Sequence, residues 1–233
     1  MTQRLIIANW KMFGDPQAIN YWSDNLAGTN HHVVLCVQPL LIQSAVKCAV
    51  IKNNYSVGGQ DCHFKDEGPY TGFTSPKLLA DVGASYVIIG HSERRHFEDD
   101  ALIQSKAIAA IRNHMVPIIC VGESLETRQK GQHEHFTLKQ LSIILENLSG
   151  PYCIAYEPLW AIGTGVVPTT HDIESMHASI RRFIKNDSVK ILYGGSVSAD
   201  NAKAILALKN VDGLLVGGAS LKVETFNQIL LAM

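Results

Sequence analysis

The chain has 233 residues, of which 46% are hydrophobic and 18% charged, enough apolar material for a sizeable core and too mixed a composition for a disordered chain. Its formal net charge of -1 gives no electrostatic reason to expect nucleic acid or an acidic membrane surface as a partner. The N-terminal apolar run covers only residues 5–8, too short for a signal-peptide core or a membrane span.

The first predicted strand is the run 4–9, followed by runs at 32–37, 55–60, 86–90, 116–121, 153–156, 189–193 and 213–216. Most are continuously apolar rather than alternating, which suits parallel strands buried on both faces. Helical spacing between them is clearest over 101–112, 137–148, 172–185, 199–208 and 223–231. Thr169 and Thr170 before Ile173, and Ser198 and Asp200 before Ala202, are residues that cap helix starts. No linker or low-complexity stretch divides the chain, so residues 1–233 read as one domain. The alternation predicts a parallel α/β fold, and about eight such units ending in a helix match a closed (β/α)8 barrel. An open doubly wound sheet is the competing reading of the same pattern.

Five cysteines, Cys36, Cys48, Cys62, Cys120 and Cys153, are odd in number and contain no C-x-x-C pair. They read as free thiols in a reducing compartment, which predicts a cytoplasmic location. His31-His32 and His133-Glu134-His135 lack the i, i+4 spacing of a helical metal site and read as surface residues, so no metal is expected. No G-x-G-x-x-G follows the first strand, which argues against a dinucleotide site.

Polar and glycine residues cluster just after the strand runs: Asn9 to Lys11, His91 to Glu93, Glu157, Gly194 to Ser196, and Gly217-Gly218. In an α/β barrel these positions share the C-terminal rim, where active sites lie. Glu157 closes the sixth run and is placed to act as a general base, with a salt-bridged rim carboxylate as the plain alternative. His91 closes the fourth, where a helix N-terminus behind it would keep the ring neutral. Lys11 offers a positive point charge to an anionic substrate. Two glycine pairs, after the seventh and eighth runs, fit the position where barrels recurrently bind phosphate. The apolar, proline-bounded segment 158–168 is too irregular for a helix and reads as a lid or as a loop buried on the rim.

Taken together these segments resemble triosephosphate isomerase over essentially the whole chain. The carriers are IANWKM at 7–12, VIIGHSERR at 87–95, YEPLWAIGTG at 156–165, YGGSV at 193–197 and GLLVGGA at 213–219. The resemblance implies an isomerase that needs no cofactor, with Glu157 as the base and neutral His91 polarising the carbonyl. It implies further that Lys11 and Asn9 stabilise an enediolate, with Glu93 supporting them. Backbone N–H groups at Gly163, Ser196, Gly217 and Gly218 would hold the phosphate. A homodimer is implied, its interface carrying Thr71, Gly72 and Phe73.

Three features depart from the family pattern. Phe73 stands after Thr71-Gly72 where an acidic residue is usual, so the customary ion-pair partner of Arg94 is missing or replaced. The end of the lid reads Val166-Val167-Pro168, and Pro168 stiffens it. The stretch 97–100 is compressed. Two other classes share the barrel: another phosphate-binding enzyme of the indole-glycerol-phosphate type, and a catalytically silent binding or scaffold protein. The first needs additional rim acids and lysines and leaves the apolar lid unexplained. The second should have lost a catalytic residue, and Asn9, Lys11, His91 and Glu157 are all present.

Overall fold

The computed structural model describes residues 3–52, 54–162 and 168–232. The eight apolar runs form β1 (Leu5–Asn9), β2 (His32–Cys36), β3 (Ser56–Gly59), β4 (Tyr86–Ile89), β5 (Val116–Val121), β6 (Cys153–Tyr156), β7 (Lys190–Tyr193) and β8 (Gly213–Val216). Each pairs in parallel with its sequence neighbours, and β1 pairs with β8 from Leu5↔Gly213 to Ala8↔Val216, closing the barrel. Closure excludes the open doubly wound sheet.

Side chains alternate along each strand, so the strands other than the glycine-rich β3 feed two cores. One buried cluster consists of strand residues alone, among them Ile7, Cys36, Ile88, Cys120 and Leu192, and it fills the barrel interior. The larger cluster joins the alternate strand positions, such as Ile6, Ala8 and Val87, to buried helix residues such as Trp22, Ile103 and Phe226. This explains why the runs are continuously apolar: both faces of the sheet leave water.

The outer layer is built from α1 (Pro16–Asn25), α2 (Pro39–Lys52), α3 (Pro76–Asp81), α4 (Asp100–Arg112), α5 (Leu125–Gln129), α6 (His133–Ile144), α7 (Thr170–Ile184), α8 (Ala199–Leu206) and α9 (Val223–Leu231). The first three begin with proline, whose fixed φ and missing N–H suit a first helical turn. Thr169 caps α7 in a reciprocal capping box with Asp172. Ser198 is the N-cap of α8, whereas Asp200 lies within its first turn.

One helix is displaced from its predicted position. Apolar spacing predicts 137–148, but α6 runs His133–Ile144. Asn147 adopts φ 58°, a left-handed conformation that a continuing helix cannot contain. All five cysteines are free, and four of them are buried. No helix among the described residues is long and apolar enough to cross a membrane.

Candidate active site at the C-terminal rim

Asn9 is the last residue of β1 and is buried. Its Oδ1 accepts the Lys11 N–H at 3.0 Å and the Gln60 Nε2–H at 3.3 Å. Lys11 has φ 52°, a left-handed backbone conformation that is costly for a residue with a Cβ and is held here by its neighbours. The hold is double, because buried Trp10 also donates its indole N–H to the Ser220 carbonyl at 3.1 Å. Lys11 Nζ then reaches over the rim to Glu93 Oε1 at 2.6 Å.

Glu157 follows β6 and is only 2% exposed. Its backbone N–H donates to the Val121 carbonyl at 2.8 Å, which carries the sheet ladder one residue beyond the strand. Gly122 makes this approach possible, since a Cβ there would stand 1.8 Å from the Glu157 carbonyl oxygen. The carboxylate is gripped at both oxygens. Oε2 accepts the Ser92 backbone N–H at 2.9 Å, and Oε1 lies 3.3 Å from His91 Nε2. Inside the barrel, burial and then the neighbouring Glu157 charge push the Cys120 thiol well above its ordinary range.

His91 follows the residue after β4 and is buried. The helix N-terminus predicted behind it is instead a turn over 92–96, and α4 starts only at Asp100. What fixes the ring is the Glu93 backbone N–H, which points at Nδ1 from 3.2 Å. A ring nitrogen that accepts cannot carry a proton, so the neutral tautomer with hydrogen on Nε2, facing Glu157, fits this geometry.

These groups converge on a cavity of about 220 Å³ lined by Asn9, Lys11, His91 and Glu157 on one side. The loops after β7 and β8 line the other, with Gly194 to Ser196, Gly217 and Gly218 at its wall. A Cβ at Gly217 would press to 3.3 Å from Lys11 Cε, so a side chain there would shift the lysine by a few tenths of an ångström. The Ser196 hydroxyl donates to the Ala161 carbonyl at 2.6 Å, tying the loop after β7 to the segment after β6. Gly163, and Val166 and Val167 at the end of the segment read as a lid, lie outside the described residues.

A second groove of about 460 Å³ adjoins the cavity and shares Asn9, Lys11 and His91 with it. Gly72 and Phe73 line it, and Thr71 beside them is exposed. Phe73 is 60% exposed, yet its ring lies 4.9 Å from that of His63, which also packs against Phe64 and Tyr70 at centroid distances of 4.3 and 4.2 Å. Arg94 finds carboxylates within its own chain, Asp61 at 2.8 Å and Glu98 at 2.6 Å, so its customary partner is replaced.

The histidines set aside as surface residues divide. His135 is exposed, but His32 is half-buried and bonded to Ser56 Oγ at 2.9 Å. Among the described residues no group of three or more His, Cys, Asp and Glu side chains is placed to hold a metal ion.

Several contributors escape motif reading. Ser92 acts through its backbone, and Gln60 through Asn9. Glu123, fully buried, accepts from the Tyr156 hydroxyl at 3.1 Å and the Trp160 indole N–H at 3.0 Å, and it faces Arg128 at 3.3 Å. Its position just past β5, in line with the other rim residues, is the signal that could have found it.

Fold and site define a (β/α)8 barrel with a carboxylate–imidazole pair beside a glycine-walled, anion-sized cavity. A family model described as triosephosphate isomerase matches residues 4–233. The triosephosphate isomerases of Francisella philomiragia and Xanthobacter flavus are each 42% identical to this chain over 98% of its length, covering 96% and 97% of their own. That of Francisella tularensis is 41% identical over 98% of this chain and 96% of its own. The chain belongs to the triosephosphate isomerase family.

Proposed function

We propose that the chain interconverts dihydroxyacetone phosphate and D-glyceraldehyde 3-phosphate by moving a proton between adjacent carbons through an enediolate. The observation that carries this reading is the shared cavity: the Glu157 carboxylate, His91 Nε2, Lys11 and the two glycine loops all face it. A buried carboxylate beside a bound carbonyl compound takes a proton from one carbon and returns it to the next. Neutral His91 donates from Nε2 to the oxygen that gains negative charge and passes protons between the two oxygens. Lys11, with Asn9 beside it, offsets the same charge, and Glu93 holds the Lys11 ammonium on the rim. Backbone N–H groups of Gly163, Ser196, Gly217 and Gly218 hold the phosphate dianion, and the segment from Pro158 excludes water so that the enediolate is reprotonated before phosphate leaves. No cofactor enters these steps.

The proposal extends to assembly and location. Residues 61–75 form a long rim loop that inserts into a second subunit, placing Thr71 near Asn9 and Lys11 of the partner subunit. The groove beside the cavity and the exposed Phe73 support such a contact. The five free thiols support a cytoplasmic setting. A coupled assay of turnover in both directions tests the reaction, and a folded protein without turnover overturns it.

A further inference from the structure

Four charged side chains outside the cavity close a ring. Asp61 Oδ1 bonds to Lys106 Nζ at 2.7 Å, and Lys106 Nζ bonds to Glu98 Oε1 at 2.8 Å. Glu98 Oε1 accepts from Arg94 Nε at 2.6 Å, and Arg94 Nη2 returns to Asp61 Oδ2 at 2.8 Å. Lys106 and Glu98 are each only 2% exposed at the side chain, and two cations face two carboxylates. Such charges are costly to bury unless every member is paired, so losing one member leaves an uncompensated charge on the others.

The ring touches the reacting groups from two directions. Arg94 belongs to the turn behind His91, and its N–H donates to the His91 carbonyl at 2.8 Å. The same turn presents the Ser92 N–H to Glu157. Asp61 follows Gln60, whose amide holds Asn9 at 3.3 Å and the Cys36 carbonyl at 3.1 Å. Asp61 is thus the member that joins the end of β3 to the turn after β4. Only a carboxylate can do so, because one oxygen faces an ammonium and the other a guanidinium, and an amide would turn a donor toward one of them.

We infer that Asp61 is a positioning residue, which through Arg94 and Lys106 holds the turn carrying His91 and Ser92 in register with Glu157. The inference rests on the isomerase reading above. Its expected signature is a loss in kcat with little change in KM. His91 and the Ser92 N–H that grips Glu157 belong to the segment that Asp61 anchors, whereas the glycine loops follow β7 and β8 on the other side of the cavity.

Turnover of the wild-type chain tests the isomerase reading on its own. Asp61→Asn is then compared with it and should lose roughly 10- to 100-fold in kcat, as sub-ångström to 1 Å misplacement of reacting groups does, with KM within about 2-fold. The double variant Asp61→Asn with Lys106→Met removes the excess buried positive charge. Its thermal midpoint should return toward wild type while kcat stays low, since Arg94 still lacks its second carboxylate. Arg94→Lys keeps the charge without the fork and should show the same kcat loss. Should Asp61→Asn fail to fold, the other two variants carry the comparison. Wild-type kcat in the folded variants, a loss confined to KM, or recovery of kcat together with the thermal midpoint overturns the inference.

Discussion

His91 Nε2 stands 3.3 Å from Glu157 Oε1, while the Ser92 N–H next to that histidine holds the other carboxylate oxygen at 2.9 Å. The Glu157 carboxylate is therefore aimed by the turn after His91, and its reach is set by the length of its own side chain.

Shortening that side chain should separate reach from charge. Glu157→Asp keeps the carboxylate but withdraws it by about 1 Å, and a cost on the order of 100-fold in kcat is expected. Glu157→Gln removes the base and should cost about 10²–10⁴-fold or more. Steady-state kinetics of the two purified variants checks this, and near-normal turnover in either would refute the assignment.

Phosphate recognition is expected to depend on the glycine loop after β8. Gly217→Val places a branched side chain against Lys11, whose Cε already lies 3.3 Å from an ideal Cβ at that position. Both a raised KM and a lowered kcat are expected, since the anion wall and the lysine shift together. In the wild type, inorganic phosphate or sulfate should raise the apparent KM. Equal turnover of a substrate lacking phosphate would leave the anion site without a role.

Assembly should respond little to salt. Arg94 is satisfied within its own chain and Phe73 stands exposed where an acid is usual, so the contact is expected to be apolar. Sedimentation at micromolar concentration should give a symmetric dimer that persists at high ionic strength. A fully active monomer, or dissociation on adding salt, contradicts this.

Stability should fall as the medium is acidified through the range in which histidine titrates. His177 is fully buried on α7, its Nδ1 lies 3.0 Å from the Asn210 carbonyl, and its Nε2 has no hydrogen-bond partner among the described residues. Burial lowers its pKa from 6.5 to about 4. The folded-state value is the depressed one, so the contribution is fully present above pH 6.5. Between 6.5 and 4 the unfolded chain binds a proton that the folded chain refuses, and stability drops by up to about 1.4 kcal/mol per pH unit. Thermal unfolding at several pH values should show a smaller acid loss for His177→Gln than for the wild type. Parallel curves for the two proteins would show that His177 is not the group responsible.

On the proposed reading of residues 158–168 as a lid, a smaller effect is expected at Pro168. Pro168 is buried just before Thr169, the N-cap of α7, and its ring fixes φ at that position. Pro168→Ala is expected to weaken a phosphate-bearing transition-state analogue by about 0.4–1 kcal/mol, because the open state gains entropy. Calorimetric titration of both proteins decides it. Unchanged or tighter binding would mean that the proline strains the closed lid instead.

The strands were legible in the sequence because alternation along a strand is a local property, and a barrel that buries both faces turns it into the continuous apolar runs seen from Leu5 to Val216. The rim residues were legible for the same reason: Asn9, His91 and Glu157 each stand at or just past the end of such a run. Helix limits were less so, because Asn147 ends its segment through backbone conformation rather than through polarity. Pairing was decided by tertiary structure alone. Ser92 and Glu157 are 65 positions apart and meet only because β4 and β6 both flank β5 in a closed sheet. Lys106 reads in sequence as an ordinary helical lysine, and Asp61 as a loop acid. Their meeting with Glu98 and Arg94 follows from how α4 packs against β4 and β5, and long-range packing of that kind leaves no periodic trace in the chain.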